Sequence, residues 1–394
     1  MAGKILVVVQ RYGDEVTGGS ESHARMLVER LAVRRDVEVA TTNALDYWTW
    51  APHYPAGPAQ VGGVPVHRFA VERGRSADYK DIERRVMLET HTLAEEWEWI
   101  DKQGPYCPGL LDHLHRHGNT YAAVIFYTYI YGPTVLGLPL VPDRAILIST
   151  AHDEAALRLA PYRALFHLPR AIGYLTLEER ALVRRTFRNE EVPDEVLGTV
   201  LDSPGIGDPD AFRARYGIEG PLFVYLGQVS EGKGVDDLVS WWTTAEPDAT
   251  LVLAGAIRMP IPEHDRVRAL GRVSERDKWG ALAAAEALIL PSRFESLAIV
   301  LLEAWQAGTP VIVRADNPVT AGQVARSGGG WTYTTSDELG AAVRGVDRSR
   351  GERGRAWVTN EYAAGAFDRR IDRLLAWAEA GPAGSTAGPA RNMR

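Results

Sequence analysis

Apolar residues in this chain fall into short continuous runs separated by stretches with helical spacing, and the alternation occurs twice. The first run, Ile5 to Val9, is rich in β-branched residues and ends at polar positions followed by Gly18-Gly19. Helix-spaced positions then follow at His23, Met26, Leu27, Arg30 and Leu31, so the chain opens as strand, glycine loop, helix. Val37 to Thr41, Val64 to Phe69, Ala122 to Tyr127 and Ala145 to Thr150 read as further strands. Unbroken apolar runs of this kind suit parallel strands covered on both faces. A second set starts later, with strands at Pro221 to Gly227, Ala249 to Gly255, Ala287 to Pro291 and Thr309 to Val313. Strands alternating with helices in both halves predict an α/β protein of two Rossmann-like, doubly wound domains facing a deep interdomain cleft.

Two regions break the alternation. From Asp78 to Asn119 the chain is charged and aromatic-rich, long enough for two helices broken at Gly104-Pro105. Such a 78–119 insertion either shapes specificity or packs as a helix pair. Between Leu201 and Pro209 proline and glycine are dense and periodicity vanishes, which sets a boundary. The expected domains are 1–203 and 204–354. A helix or helix pair over 355–379 is expected to cross back to the first domain, and 380–394 reads as a disordered low-complexity tail.

Composition narrows the function. A chain of 394 residues with 45% hydrophobic residues can bury two cores. Its net charge of -7 gives no reason to expect nucleic acid. Residues 1–200 hold about 22 Lys/Arg against about 26 Asp/Glu, so the first half is not a basic membrane-binding domain, and membrane association is expected to be peripheral at most. The single cysteine, Cys107, excludes an intramolecular disulfide or a cysteine-rich zinc site and fits a cytoplasmic location. The first apolar run is too short to span a bilayer and reads as a strand instead of a signal peptide.

The strongest chemical signal lies from Gly271 to Val313, where Glu295 and Glu303 stand eight apart after a strand and a proline-serine turn. A helix starting near Ser296 or Leu297 would point free amides at a ligand, and its positive dipole end would favour a pyrophosphate. Glu303 then lies about two turns in, on a face in register with Glu295. One carboxylate can accept sugar hydroxyls and the other a ribose diol, because each offers two acceptors and no competing proton. The plainer alternative makes Glu295 a cap and Glu303 a solvated residue. The apolar surroundings of Glu303, LAIVLLEAWQAG, weigh against solvation.

The Glu-x7-Glu pattern, preceded by PSRFES and followed by LLEAWQAGTPVIV, resembles the retaining glycosyltransferases of family four, the group 1 glycosyl transferases of GT-B fold. The glycine loop, a histidine near 152, YLGQVSEGKGVDDLV and the C-terminal helix fall in that family's order, so the resemblance covers nearly the whole chain. It implies a retaining, metal-independent transfer of a hexose from a nucleoside-diphosphate sugar to a small-molecule or glycan acceptor, with no bound cofactor.

It also implies roles. Gly18 and Gly19 would contact a phosphate or the acceptor, although a glycine pair after a strand also serves as a tight turn. His152 would meet the donor sugar, a task a neutral imidazole performs without adding charge. Asp153 reads as the cap of the next helix. Lys233 would neutralise the departing diphosphate. Glu295 completes the expected catalytic set, and Ser296, Leu297, Ala298 and Glu303 the expected donor clamp. Arg272 and Val273 would read the nucleobase through their backbone. Gln228 departs from the family, which places an arginine there; the missing charge would have to come from Arg293 or Arg272.

Other signals stay open at this stage. Tyr127, Tyr129 and Tyr131 alternate in FYTYIYGP and suit either stacking on an acceptor ring or packing. RSGGGWTY, from Arg326 to Tyr333, reads either as a loop over the nucleotide or as a plain turn. His113, His115 and His117 sit in a helical pattern where they are not expected to share a face, which argues against a metal. Two rival functions remain: a nucleotide-sugar epimerase with the same paired domains, and an inactive sugar-nucleotide binder suggested by Gln228.

Overall fold

The computed structural model describes residues 3–201 and 207–380. Most of the expected boundary stretch, and the 381–394 tail, lie outside the described residues. The chain divides into two compact units. Unit 1 comprises the described parts of Met1–Leu175, Arg180–Leu197 and Asp368–Arg394; unit 2 comprises those of Thr176–Glu179 and Gly198–Phe367.

Unit 1 is built on eight described strands: β1 Ile5–Val9, β2 Val37–Thr42, β3 Gly57–Val61, β4 Val64–Phe69, β5 Ala123–Tyr127, β6 Ala145–Ile148, β7 Ala171–Tyr174 and β8 Asp194–Val196. They lie in the order β3-β4-β2-β1-β5-β6-β7-β8. All pairs are parallel except β3 with β4. That pair is a hairpin closed by Gly62-Gly63, both with positive φ, as a two-residue turn between twisted strands requires. β1 is wholly buried because the run ILVVV is covered on both faces, and its register sets Ile5 beside both Val37 and Ala123.

The insertion holds three helices instead of the expected two, Tyr79–Leu88, Leu93–Gln103 and Pro108–His117. The extra break lies at 89–92, where Thr92 and Glu95 form a reciprocal capping box that starts a new helix. Trp99, Ile100, Leu110 and Leu114 from these helices are buried in one core with Leu6, Val124, Phe126 and Leu147 of the sheet. Most of the insertion's apolar surface is therefore used in packing.

Unit 2 carries six described strands, all parallel: β9 Leu222–Leu226, β10 Thr250–Ala254, β11 Val267–Gly271, β12 Ala287–Leu290, β13 Val311–Arg314 and β14 Gly330–Tyr333, in the order β11-β10-β9-β12-β13-β14. RSGGGWTY is neither a nucleotide-closing loop nor a turn alone. Its first residues end the helix Pro318–Ser327, Gly328 caps that helix in the left-handed conformation, and Gly330 onward is edge strand β14.

The C-terminal region forms two helices. Ser349–Glu361 belongs to unit 2, and Ala364–Glu379 joins unit 1 from Asp368 onward. On that second helix Asp368 and Asp372 pair with Arg30 and Arg34 of the helix Gly19–Ala32, and Arg373 pairs with Glu195 of β8. Ile371 and Leu374 are fully buried beneath.

Candidate functional site

In a doubly wound sheet, ligands are received at the carboxyl ends of the two strands between which the order reverses. In unit 2 the reversal falls between β9 and β12, so the loops after Leu226 and Leu290 are the ones to read. Glycine lets them approach closely. A Cβ on Gly234 would lie 2.6 Å from the Pro291 carbonyl, and one on Gly255 would lie 1.8 Å from that of Gly227, so neither position has room for a side chain.

This packing brings together two residues 62 positions apart in sequence. Lys233 Nζ donates to Glu295 Oε1 at 2.7 Å, with both side chains partly exposed. Tyr225 lies beneath: burial, and then the Glu295 carboxylate, push its phenol above the usual range. Its hydroxyl donates to the Gln228 carbonyl at 2.7 Å, while Gln228 Nε2 donates to Ser230 Oγ at 3.3 Å.

The loop 291–298 is braced from behind. Asn317, almost completely buried, caps the helix Pro318–Ser327 through its Oδ1 and donates its Nδ2 to the Ser292 carbonyl at 2.9 Å. Gln323 donates to the Leu297 carbonyl at 2.9 Å. Nothing in the sequence pattern singled out these two amides. A polar residue followed by Pro318 is the cap signature that could have found Asn317.

The helix after this loop starts at Ile299, two or three residues later than expected. Its N-cap, Ala298, has φ 59° and makes no side-chain cap. The first amides are thus presented without an internal side-chain acceptor, as an anion site requires. Glu303 lies within this helix, where Lys278 donates to it at 2.8 Å and also meets Glu275 at 2.8 Å. Burial opposes the Lys278 charge, yet the two carboxylates outweigh it and raise its pKa. Each carboxylate of the Glu-x7-Glu pair therefore has its own lysine.

Arg293 is exposed and lies 3.6 Å from Asp237, and Arg272 is exposed just past β11. Val273 follows it, half-buried.

In unit 1 the order reverses between β1 and β5. Here the strand ends are closed by side chains. Arg11 donates to Glu21 Oε1 at 2.6 Å, both groups being buried, and also reaches the carbonyls of Leu45 and Thr17. Gly18 is required by this arrangement: its φ is 157°, and a Cβ would lie 2.2 Å from Glu21 Oε2. Gly19, by contrast, faces open space at its Cβ position. The Arg11–Glu21 pair escaped the sequence reading, although Glu21 stands inside VTGGSESHA.

Of the two readings kept for the tyrosines, packing holds for Tyr127 and Tyr129. Tyr127 and Tyr129 are fully buried, with Tyr127 OH 2.9 Å from His23 Nδ1 and Tyr129 OH donating to Glu154 Oε1 at 2.6 Å. Tyr131 stands edge-on against the buried Trp50. Packing outweighs stacking because FYT is sheet core up to its last residue.

His152 is half-buried beyond β6. Two neighbouring non-glycine residues there adopt left-handed backbone, Thr128 at φ 65° and Thr150 at 50°, with their hydroxyls 3.2 Å apart. Asp153 caps no helix; it pairs with Arg158. Glu154 lies 3.6 Å from His152 Nδ1, where a tight turn about Asp153 bonds the Glu154 amide to the His152 carbonyl at 2.8 Å.

Two of the three nearby histidines do share a face. His113 and His117, four apart on their helix, have ring centroids 5.2 Å apart, and His113 also stacks on His67 at 5.5 Å. His113 Nε2 lies 3.1 Å from the Tyr121 hydroxyl, which donates to buried Glu38. Burial, then the two other histidines, lower the His113 pKa. Among the described residues no group of three His, Cys, Asp or Glu is arranged to hold a metal.

Two parallel doubly wound units define a GT-B protein, and comparison with solved structures agrees. The chain matches sucrose-phosphate synthase of Thermosynechococcus elongatus with a TM-score of 0.73 at 17% identity, over 95% of this chain and 98% of that one. It matches Anabaena Alr3699/HepE, solved with UDP-glucose, with a TM-score of 0.67 at 16% identity, over 95% and 99%. At such identities these likenesses establish the fold. Residues 209–363, all within unit 2, match the family described as glycosyl transferases group 1.

Among curated proteins, alpha-D-kanosaminyltransferase of Streptomyces kanamyceticus is 26% identical over 233 residues, 52% of this chain and 60% of that enzyme. Mannosylfructose-phosphate synthase of Agrobacterium fabrum is 31% identical over 121 residues, 26% of this chain and 27% of that enzyme. The chain thus spans less than two thirds of the length of either. No helix among the described residues is long and apolar enough to cross a membrane.

Proposed function

We propose that this chain is a retaining hexosyltransferase that moves a sugar from a nucleoside diphosphate to a small-molecule or glycan acceptor, with unit 2 holding the donor and unit 1 the acceptor. The observation that carries the reading is the Lys233–Glu295 pair beside an uncapped helix start, at the switch point of the unit that matches the group 1 family. Departure of the nucleoside diphosphate places negative charge on the β-phosphate. Lys233 would exchange its carboxylate partner for that phosphate, and the amides that follow Ala298 would add partial positive charge, so no metal is required. Glu295, released, would accept sugar hydroxyls, while Glu303 would take the ribose diol. Ser296 and Leu297 lie on the braced loop and would meet the donor through their backbone. The names of the curated relatives, which transfer kanosamine or build mannosylfructose phosphate, support glycosyl transfer as the class.

Retention would follow from attack on the face that the diphosphate leaves. The acceptor proton would pass to a leaving-group oxygen, helped by a backbone carbonyl near His152 that accepts a hydrogen bond from the acceptor hydroxyl. Neither glutamate is asked to form a covalent sugar ester, and a trapped ester on Glu295 would contradict this mechanism.

The test is a thermal-shift comparison of UDP-, GDP-, ADP- and dTDP-sugars, followed by transfer assays with the best donor in excess EDTA. Lys233→Ala is expected to lower kcat about 10²- to 10³-fold, in the range of one lost transition-state donor. Conversion of the nucleotide sugar without any acceptor would instead make the protein an epimerase. Tight binding with neither transfer nor slow hydrolysis would make it a binder.

A further inference from the structure

Unit 1 holds a cavity with a volume of about 410 Å³, lined by Arg158, Leu159, Ala160, Arg163, Arg185, Thr186 and Phe187. Its size falls within the range of small-molecule sites. Three of its seven lining residues are arginines and none is acidic, in a chain whose net charge is -7. Arg158 is held in place by Asp153 and by the Glu154 carbonyl, whereas Arg163 and Arg185 form no ion pair with any described residue.

The floor of the cavity is firm. Phe187 stacks on Phe166 with ring centroids 4.4 Å apart and an interplanar angle of 15°. Asn189 donates to the Phe166 carbonyl at 3.1 Å, and Tyr162, next to Arg163, is fully buried. The neighbouring basic residues have acidic partners of their own: Arg180 and Arg184 face Asp194, and His167 faces Glu191. Arg163 and Arg185, like the exposed Arg188 beside Phe187, form no ion pair among the described residues, and of these three Arg163 and Arg185 line the cavity. A basic last turn suits the dipole of the helix Leu177–Phe187, which explains a cation near Arg185. Arg163 likewise stands in the last turn of the helix Ala160–Leu165, and both exposed guanidinium groups line the same cavity.

We propose that this cavity is a binding site for a small ligand carrying one or two phosphate groups, separate from the donor site of unit 2. Two guanidinium groups without carboxylate partners offer paired donors matched to phosphate oxygens. Leu159, Ala160 and Phe187 supply an apolar wall for the body of the ligand.

The experiment is a calorimetric titration of the full chain with sodium pyrophosphate at low salt. It is run in a Lys233→Ala background so that the donor site contributes little. Saturable binding is expected there, weakened about tenfold or more by Arg163→Gln with Arg185→Gln, as the loss of charge-assisted hydrogen bonds implies. The same change in net charge made with Arg84→Gln and Arg116→Gln, both exposed and outside the cavity, is expected to alter it less than about twofold. Equal weakening by the two pairs, or no weakening by the first, overturns the proposal. So does the absence of saturable binding together with adsorption to phosphatidylglycerol vesicles, which would make the arginines a membrane contact. Intact donor binding in Lys233→Ala would count against the transferase reading and leave this one standing.

Discussion

The two units share a sheet plan and differ in how they finish the edge where the strand order reverses. In unit 1 the edge is closed by buried side chains: Arg11 on Glu21, His23 near Tyr127, and Tyr129 on Glu154. In unit 2 it is finished by backbone, with Gly227, Gly234 and Gly255 packed close, an uncapped helix start, and a lysine paired with a half-exposed glutamate. Side-chain closure fixes a shape. Backbone closure leaves polar groups facing outward, where they can bind a ligand. The same topology can thus supply a rigid wall in one unit and a binding edge in the other.

The sharpest way to break this contrast is to remove the charge that closes unit 1. Arg11→Ala leaves Glu21 buried without its guanidinium and is expected to cost about 3–5 kcal/mol, read as a lower urea midpoint by tryptophan fluorescence. A loss under about 1 kcal/mol would mean that the pair does not hold the edge. In unit 2 the corresponding change is to backbone. Gly255→Ala sets a Cβ against the Gly227 carbonyl at positive φ, with an expected cost of about 3 kcal/mol and loss of nucleotide-induced thermal shift. An unchanged shift would show that the β9 and β10 loops need no close approach.

A smaller effect probes the unit 1 sheet behind the edge. Burial favours the neutral form of Glu38, but hydrogen bonds from Tyr121 and Lys4 overcome it and hold the carboxyl below its ordinary value of 4.5. A carboxyl with a depressed folded pKa stabilises the protein above the unfolded value and loses that contribution as pH falls through the folded one. Tyr121→Phe is therefore expected to cost about 1.5–3 kcal/mol at neutral pH and to flatten the fall in stability below pH 4.5. Parallel stability profiles for wild type and variant would refute the assignment.

The strands legible in the sequence were mostly those at the centre of each sheet, and the physics explains the division. β1, β5, β9 and β12 are buried along their whole length and read as unbroken apolar runs. β3, β8, β11 and β14 lie at or next to an edge, carry exposed or half-buried positions, and pass as loop. β7 was missed for another reason: it is four buried residues interrupted by Gly173, too short for any period to show. The site divided in the same way. Glu295 and Glu303 were singled out by their spacing and residue type, and Lys233 by the family resemblance. The Lys233–Glu295 and Lys278–Glu303 pairings were not, because they depend on which strand ends the sheet order brings together. Asp153, expected as a cap, is instead drawn to Arg158 five residues on.

Ala298 carries one further implication. An alanine held at φ 59° adopts a conformation that disfavours any residue with a Cβ, at a cost of about 1 kcal/mol or more. Asn317 and Gln323 hold the loop in that shape from behind. Ala298→Gly is expected to raise the melting temperature slightly while weakening nucleotide affinity, since a glycine hinge relaxes the turn and frees the loop to sample other shapes. Natural selection at this position would then favour the residue that is worse for the resting protein and better for its grip.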